Sequence, residues 1–173
     1  GVGYSALQAA RPRRATPAGS LGVVEVDALL ARLPATTGKG SAAAKAQAAA
    51  VTALSQTGAR LVHEGQLEGR TVQLPVFLAR GPDEPADDGM RAFYERLLAA
   101  LRDEVFRTGD WVLGERRGWD GNDTWPSLVV WGWQGESRKL VVVNLGERSA
   151  SGHVSLPWDD LRGRTWRLDD AWS

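Results

Sequence analysis

Cysteine is absent from all 173 residues, which excludes disulfides, thiolate zinc sites, iron–sulfur clusters and a cysteine nucleophile. Histidine is almost as scarce, with His63 and His153 the only two. A charge excess of either sign is also missing: 21 Lys plus Arg balance 21 Asp plus Glu. No net basic field then draws a phosphate backbone, and nucleic acid is not an expected partner. No apolar run approaches the roughly 18 residues a membrane helix needs, and the start lacks a basic-then-apolar signal pattern. The expectation is a soluble chain without membrane contact, with the cytoplasm as its place. Because the chain opens on Gly1 rather than Met and stops at Asp169-Asp170-Ala171-Trp172-Ser173, both ends read as cut. A fragment can keep a fold while lacking the residues of its chemistry.

Large apolar side chains are thin over residues 1–40, where Tyr4 is the only aromatic among Ala, Arg, Pro, Gly and Thr. That composition predicts little order, with one exception at Leu21 to Leu33, where β-branched residues pass into a Leu-spaced stretch that could be a short helix. Ser41 to Gln56 is Ala-rich and predicts a helix, with Ser41 as N-cap and Gly58 just past its end. Ala59-Arg60-Leu61-Val62-His63 reads as a short strand, followed by a glycine-punctuated loop, Glu64-Gly65-Gln66-Leu67-Glu68-Gly69. After the turn-rich Gly81-Pro82-Asp83-Glu84-Pro85, Asp87 or Asp88 can cap a second helix over 89–107. In it Met90, Phe93, Tyr94, Leu97, Leu98, Leu101 and Val105 recur at helical spacing.

All eight Trp lie at or beyond Trp111, so composition changes where that helix stops. The tail holds short β-branched and aromatic runs, Trp111–Arg117, Ser127–Trp133, Lys139–Asn144, Gly152–Leu156 and Arg164–Leu168, separated by Gly, Asn, Asp and Ser turns. This pattern predicts an antiparallel sheet or half-sandwich over 110–173, packed on the apolar face of the 89–107 helix.

The order of Ala-rich helix, Gly58 to Gly69, Arg91-Ala92-Phe93-Tyr94-Glu95-Arg96-Leu97-Leu98 and a Trp-bearing β tail resembles the C-terminal end of an α-amylase-type glycoside hydrolase. Gly65-Gln66 matches the Gly-Gln loop that follows the last barrel strand in that family, with Leu67 where an acid usually stands and Glu68 one place later. Val141-Val142-Val143-Asn144-Leu145 resembles a strand of the family's C-terminal β-domain. The resemblance covers about 41–173. It implies an α/β plus all-β chain: the last βα unit of a (β/α)8 barrel over 41–109, then an incomplete antiparallel β-sandwich-like domain over 110–173. It also implies α-glucan as partner through the parent enzyme, and no cofactor.

Retaining glycosidases need two carboxylates about 5 Å apart, one to attack and one to protonate the leaving oxygen. In the resembled family these follow the fourth and fifth barrel strands, with a third acid in an Asn-His-Asp motif that does not occur here. Val24-Glu25-Val26-Asp27-Ala28 is superficially similar to the nucleophile strand. Glu25 replaces the expected Arg, however, and the spacing to Arg60 is too short for the intervening units. Asp27 is therefore read as a surface acid, and no catalytic residue is assigned. His63, Glu64, Gln66 and Glu68 sit at a strand end, where barrel sites are built, and are the candidates for a substrate-cleft loop, against the plainer reading of a solvated loop. A metal there would need further ligands that the neighbouring sequence does not supply, and no phosphate-loop pattern follows Gly65 and Gly69.

Tryptophan rings stack on sugars, but Trp131 and Trp133 share a strand face with Val129, and Trp166 with Leu168, which is the period of a core. Trp119 and Trp125, in a Gly- and Asp-rich loop, are the candidates for sugar stacking, whereas His153 reads as an ordinary residue of a half-buried strand. Two functions stand: a C-terminal piece of an α-glucan-active glycoside hydrolase or transglycosidase, inactive alone, or a non-catalytic β-sandwich module for carbohydrate binding or assembly.

Overall fold

In a computed structural model, the structure describes residues 4–10, 21–25, 29–33, 41–72, 77, 83–161 and 165–171. In chain order the elements are β1 (Tyr4–Ala10), β2 (Leu21–Glu25), β3 (Leu29–Leu33), α1 (Ser41–Leu54), α2 (Asp88–Ala100) and α3 (Val105–Thr108). They continue with β4 (Asp110–Leu113), β5 (Arg116–Arg117), β6 (Leu128–Gln134), β7 (Arg138–Asn144), β8 (Ala150–Val154) and β9 (Thr165–Asp170). Among the described residues the strands form two antiparallel sheets, a six-stranded one ordered β2-β9-β1-β7-β6-β4 and a three-stranded one ordered β3-β8-β5. No closed barrel is present among them.

The β6–β7 hairpin is apolar along both faces because it is covered on both. On one face Val129, Trp131, Trp133, Val141 and Val143 meet a cluster that includes Val51, Leu54, Phe93, Leu97, Leu101 and Phe106 from the helices. On the other, Leu128, Val130, Leu140 and Val142 meet Val154, Trp158, Leu161 and Leu168 beneath the smaller sheet. The result is a helix layer, a large sheet and a small sheet, with the expected docking of the 89–107 helix face onto the tail. Trp131 and Trp133 are buried as their period predicts. The Trp166 side chain lies outside the described residues.

Several expectations change. Residues 1–40, whose composition predicts little order, contribute β1, β2 and β3, and the Leu21 to Leu33 stretch forms strands, not a short helix. Their order is set by partners far along the chain: β1 lies between β7 and β9, with Tyr4 opposite Val143 and Leu7 opposite both Leu140 and Asp170. Residues 59–63 are not a strand. A strand needs a neighbour for its N–H and C=O groups, and no described segment pairs with this one. Leu61 is accordingly 89% exposed.

The predicted 89–107 helix is broken into α2 and α3. Asp87 caps α2 by accepting from the Met90 N–H at 3.0 Å, as its position suggests. At the other end Arg102 and Asp103 bond three residues back, to Ala99 and Ala100. The Asp103 carboxylate then accepts from the Val105 N–H at 3.1 Å, an aspartate competing with the helical backbone for its own donors. The predicted Trp111–Arg117 strand is likewise split, because β4 belongs to the large sheet and β5 to the small one. Gly114 makes the corner: its N–H donates to the Val130 carbonyl at 3.0 Å, and a Cβ there would stand only 2.6 Å from the Val130 side chain.

Candidate functional site

Residues 64–69 form a chain of tight turns between α1 and α2. Gln66 N–H donates to the His63 carbonyl at 3.2 Å, Gly69 N–H to that of Gln66 at 3.2 Å, and Arg70 N–H to that of Gly65 at 2.9 Å. Gly65 and Gly69 take φ of +81° and +68°, a region that L side chains enter at a cost. At Gly69 space is short as well, since a Cβ would come within 3.0 Å of Asp87 and Met90. The loop is thereby seated on the start of α2, where the Asp87 N–H donates to the Glu68 carbonyl at 2.8 Å.

Gln66 is the residue that fixes this loop in place. Its Nε2 donates to the Tyr94 hydroxyl at 2.8 Å, and its Oε1 accepts from the His63 N–H at 3.2 Å. The Tyr94 ring is buried against Phe93, centroids 5.1 Å apart and edge to face, so the anchor is rigid. His63 and Glu64 remain exposed, while Gln66 and Glu68 are half-buried. The His63 Nδ1 lies 3.0 Å from the Glu64 carbonyl, which can only accept, so this nitrogen carries the proton when the contact is made. The four candidate residues thus share one loop, with Gln66 structural and the side chains of His63 and Glu64 open to solvent.

A further acid, which the sequence reading passes over as part of a connector, orders the far side. Glu84 accepts from the N–H and hydroxyl of Thr71, both at 2.8 Å, and from the Val72 N–H at 3.1 Å. The hydrogen bonds from Thr71, backbone and side chain, followed by that from Val72, hold its carboxyl below the usual carboxylate range. Tyr94, counted only as a core position, is the other omission. The signal was available, because a phenol on a buried helix face calls for a hydrogen-bond partner.

Trp119 and Trp125 occupy different situations. Trp119 is 45% exposed and meets His153 edge to face at 5.5 Å. Trp125 opens a 3-10 turn over Trp125–Ser127 and is half-buried, pressed against Gly118 and Gly152 so closely that a Cβ at Gly118 would collide with its ring. Of these two, Trp119 is the more open to solvent. Asp27 lies outside the described residues, and no group of three or more His, Asp or Glu able to hold a metal ion occurs among those described. No described helix is long and apolar enough to cross a membrane.

Comparison of the chain with protein-family models, with curated proteins and with solved structures finds no match.

Loss of the anchor is expected to be measurable. Tyr94→Phe should lower the unfolding free energy by about 1 kcal/mol, the usual net value of one such bond, and Gln66→Ala, which also removes the bond from the His63 N–H, by about 2 kcal/mol. In urea denaturation the double variant should cost clearly less than the two losses added. Full additivity would mean that the two side chains act independently.

Proposed function

We propose that this chain is the C-terminal portion of an α-glucan-active glycoside hydrolase or transglycosidase, with residues 63–69 as a loop beside the substrate cleft. In this reading 41–109 form the end of a β/α barrel, although 59–63 do not form its strand here, and 110–173, joined by β1, β2 and β3, the β-domain that braces it. The observation that carries the reading is the Gln66–Tyr94 hydrogen bond. It seats a Gly-Gln loop on the helix of the Arg91 to Leu98 motif, and that helix packs in turn on the β-domain. Such a loop contributes shape and hydrogen bonds to a cleft; the two carboxylates of glycoside cleavage are supplied from elsewhere. A second reading, a non-catalytic carbohydrate-binding module, is favoured by the exposure of Trp119, since an open indole face is a platform for a sugar ring.

The purified chain is expected to release no reducing ends from starch or maltooligosaccharides. Turnover that tracked the protein and disappeared in Asp27→Asn would overturn this. Titration with maltoheptaose, followed by 15N–1H NMR, separates the two readings. Shifts confined to His63, Glu64 and Gln66 support the cleft loop, whereas shifts at the Trp119 indole N–H support the binding module. No saturable shift at either place would count against both.

A further inference from the structure

Between the end of α1 and α3 lies a cleft of about 390 Å³ whose lining includes Thr57, Gly58, Arg60, Phe106, Arg107 and Trp133. That volume falls within the range of small-molecule sites, roughly 300–1,000 Å³. Phe106 and Trp133 contribute to this lining, their rings edge to face at 5.8 Å and almost wholly buried. Two arginines, Arg60 and Arg107, are among its lining residues and, among the described residues, no Asp or Glu is. Arg60 is oriented rather than free, because its Nη2 donates to the Phe106 carbonyl at 2.7 Å. Its Nε is buried yet has no hydrogen-bond partner. A buried donor left unpaired carries its whole desolvation cost, so Arg60 keeps an unmet demand for an acceptor. Arg107 meets Glu104 at 3.5 Å with both side chains more than half exposed, an ion pair weak enough to exchange partners.

We propose that this cleft binds a small oxyanion, held by Arg60 and Arg107. Two cationic residues lining one cleft, with no Asp or Glu in its described lining, favour an anion there. A planar guanidinium fork matches two oxygens of a phosphate or a carboxylate. Thr57, also in the lining, carries a hydroxyl able to donate, and Phe106 and Trp133 give the cleft an apolar border. The inference does not rest on the glucan reading, since it concerns the cleft between the end of α1 and α3 and not the loop at 63–69.

The test is a titration of the 15N-labelled chain, following the side-chain Nε–H signal of Arg60 and the amides of Gly58 and Gly109. Inorganic phosphate and acetate form two arms, with sodium chloride at matched ionic strength as the control. Saturable shifts with one of the oxyanions and not with chloride are expected. Tighter saturation by phosphate assigns the site to phosphoryl ligands, and tighter saturation by acetate to carboxylates. Arg60→Gln and the surface variant Arg107→Gln should each weaken binding about tenfold, as loss of a charge-assisted bond implies. Arg107→Gln guards against a folding defect in the first variant. Absence of saturation in both arms, or saturation that both variants leave unchanged, would overturn the proposal.

Discussion

Asp103→Ala is expected to lower the unfolding free energy by about 3–5 kcal/mol, the range for breaking a buried ion pair from one side. The Lys139 Nζ sits 2.7 Å from the Asp103 carboxylate, and the two side chains are only 9% and 26% exposed. Asp103 also accepts from the Ser137 hydroxyl at 2.9 Å and the Val105 N–H at 3.1 Å. Its removal therefore strands a buried ammonium and frees two donors together. Replacing both partners, as Asp103→Leu with Lys139→Met, should recover much of the loss, because no charge is then left without a counter-ion. A double-mutant cycle in urea reads both effects. A single-variant loss below about 1 kcal/mol would show that the ammonium reaches water and that the pair behaves as a surface one.

The same pair predicts an acid sensitivity. Burial alone would raise the Asp103 carboxyl, but hydrogen bonds from Lys139, Val105 and Ser137, with the charge of Lys139, outweigh it and hold the group below its ordinary value. A carboxyl depressed in the folded state contributes fully above its unfolded value, and that contribution is lost as pH falls through the folded one. Wild type should therefore lose stability more steeply than Asp103→Asn as the pH drops below the ordinary aspartate range. Parallel acid profiles would remove Asp103 as the cause.

The elements legible in the sequence are those whose signal is local. β6 and β7 announce themselves because Val129, Val130, Val141, Val142 and Val143 form unbroken runs beside Gly135 and Asn144, and both faces of that hairpin are buried. Asn144 ends β7 for a readable reason: its Nδ2 donates to the Arg148 carbonyl and its Oδ1 accepts from the Gly146 N–H, the self-bonding habit of asparagine in turns. β1 could not be read in this way. Tyr-Ser-Ala-Leu-Gln-Ala-Ala has modest strand preference, and its place is decided by β7 and β9, more than a hundred residues away. The error at 59–63 is the mirror image, a strand-like run with no neighbour to make it one. For the candidate site, Gly65 and Gln66 stood out as residue types. The anchor at Tyr94 and the clamp by Glu84 depend on tertiary contacts across 28 and 13 positions of the chain.

Trp133 joins the helix layer to the sheet, and truncating it is expected to loosen both. The indole is 3% exposed, packs edge to face on Phe106, and donates from Nε1 to the Ser55 carbonyl, just past α1, at 2.8 Å. Trp133→Ala should cost about 3–5 kcal/mol, the range for removing a large aromatic side chain from a packed core. Trp133→Phe keeps most of the packing but leaves the Ser55 carbonyl without its donor, at a cost of about 1–3 kcal/mol. The second variant is the more informative, because the hydrogen bond it removes ends at α1. Amide exchange along Ala48 to Leu54 should accelerate in Trp133→Phe by more than exchange in β7, since α1 loses its tie to the sheet while the β6–β7 ladder stays intact. Equal acceleration in both segments would mean that α1 opens only when the whole molecule unfolds. Unchanged exchange in α1 would mean that the other apolar contacts hold the helix without the indole, and that the hydrogen bond to Ser55 does not couple the two layers.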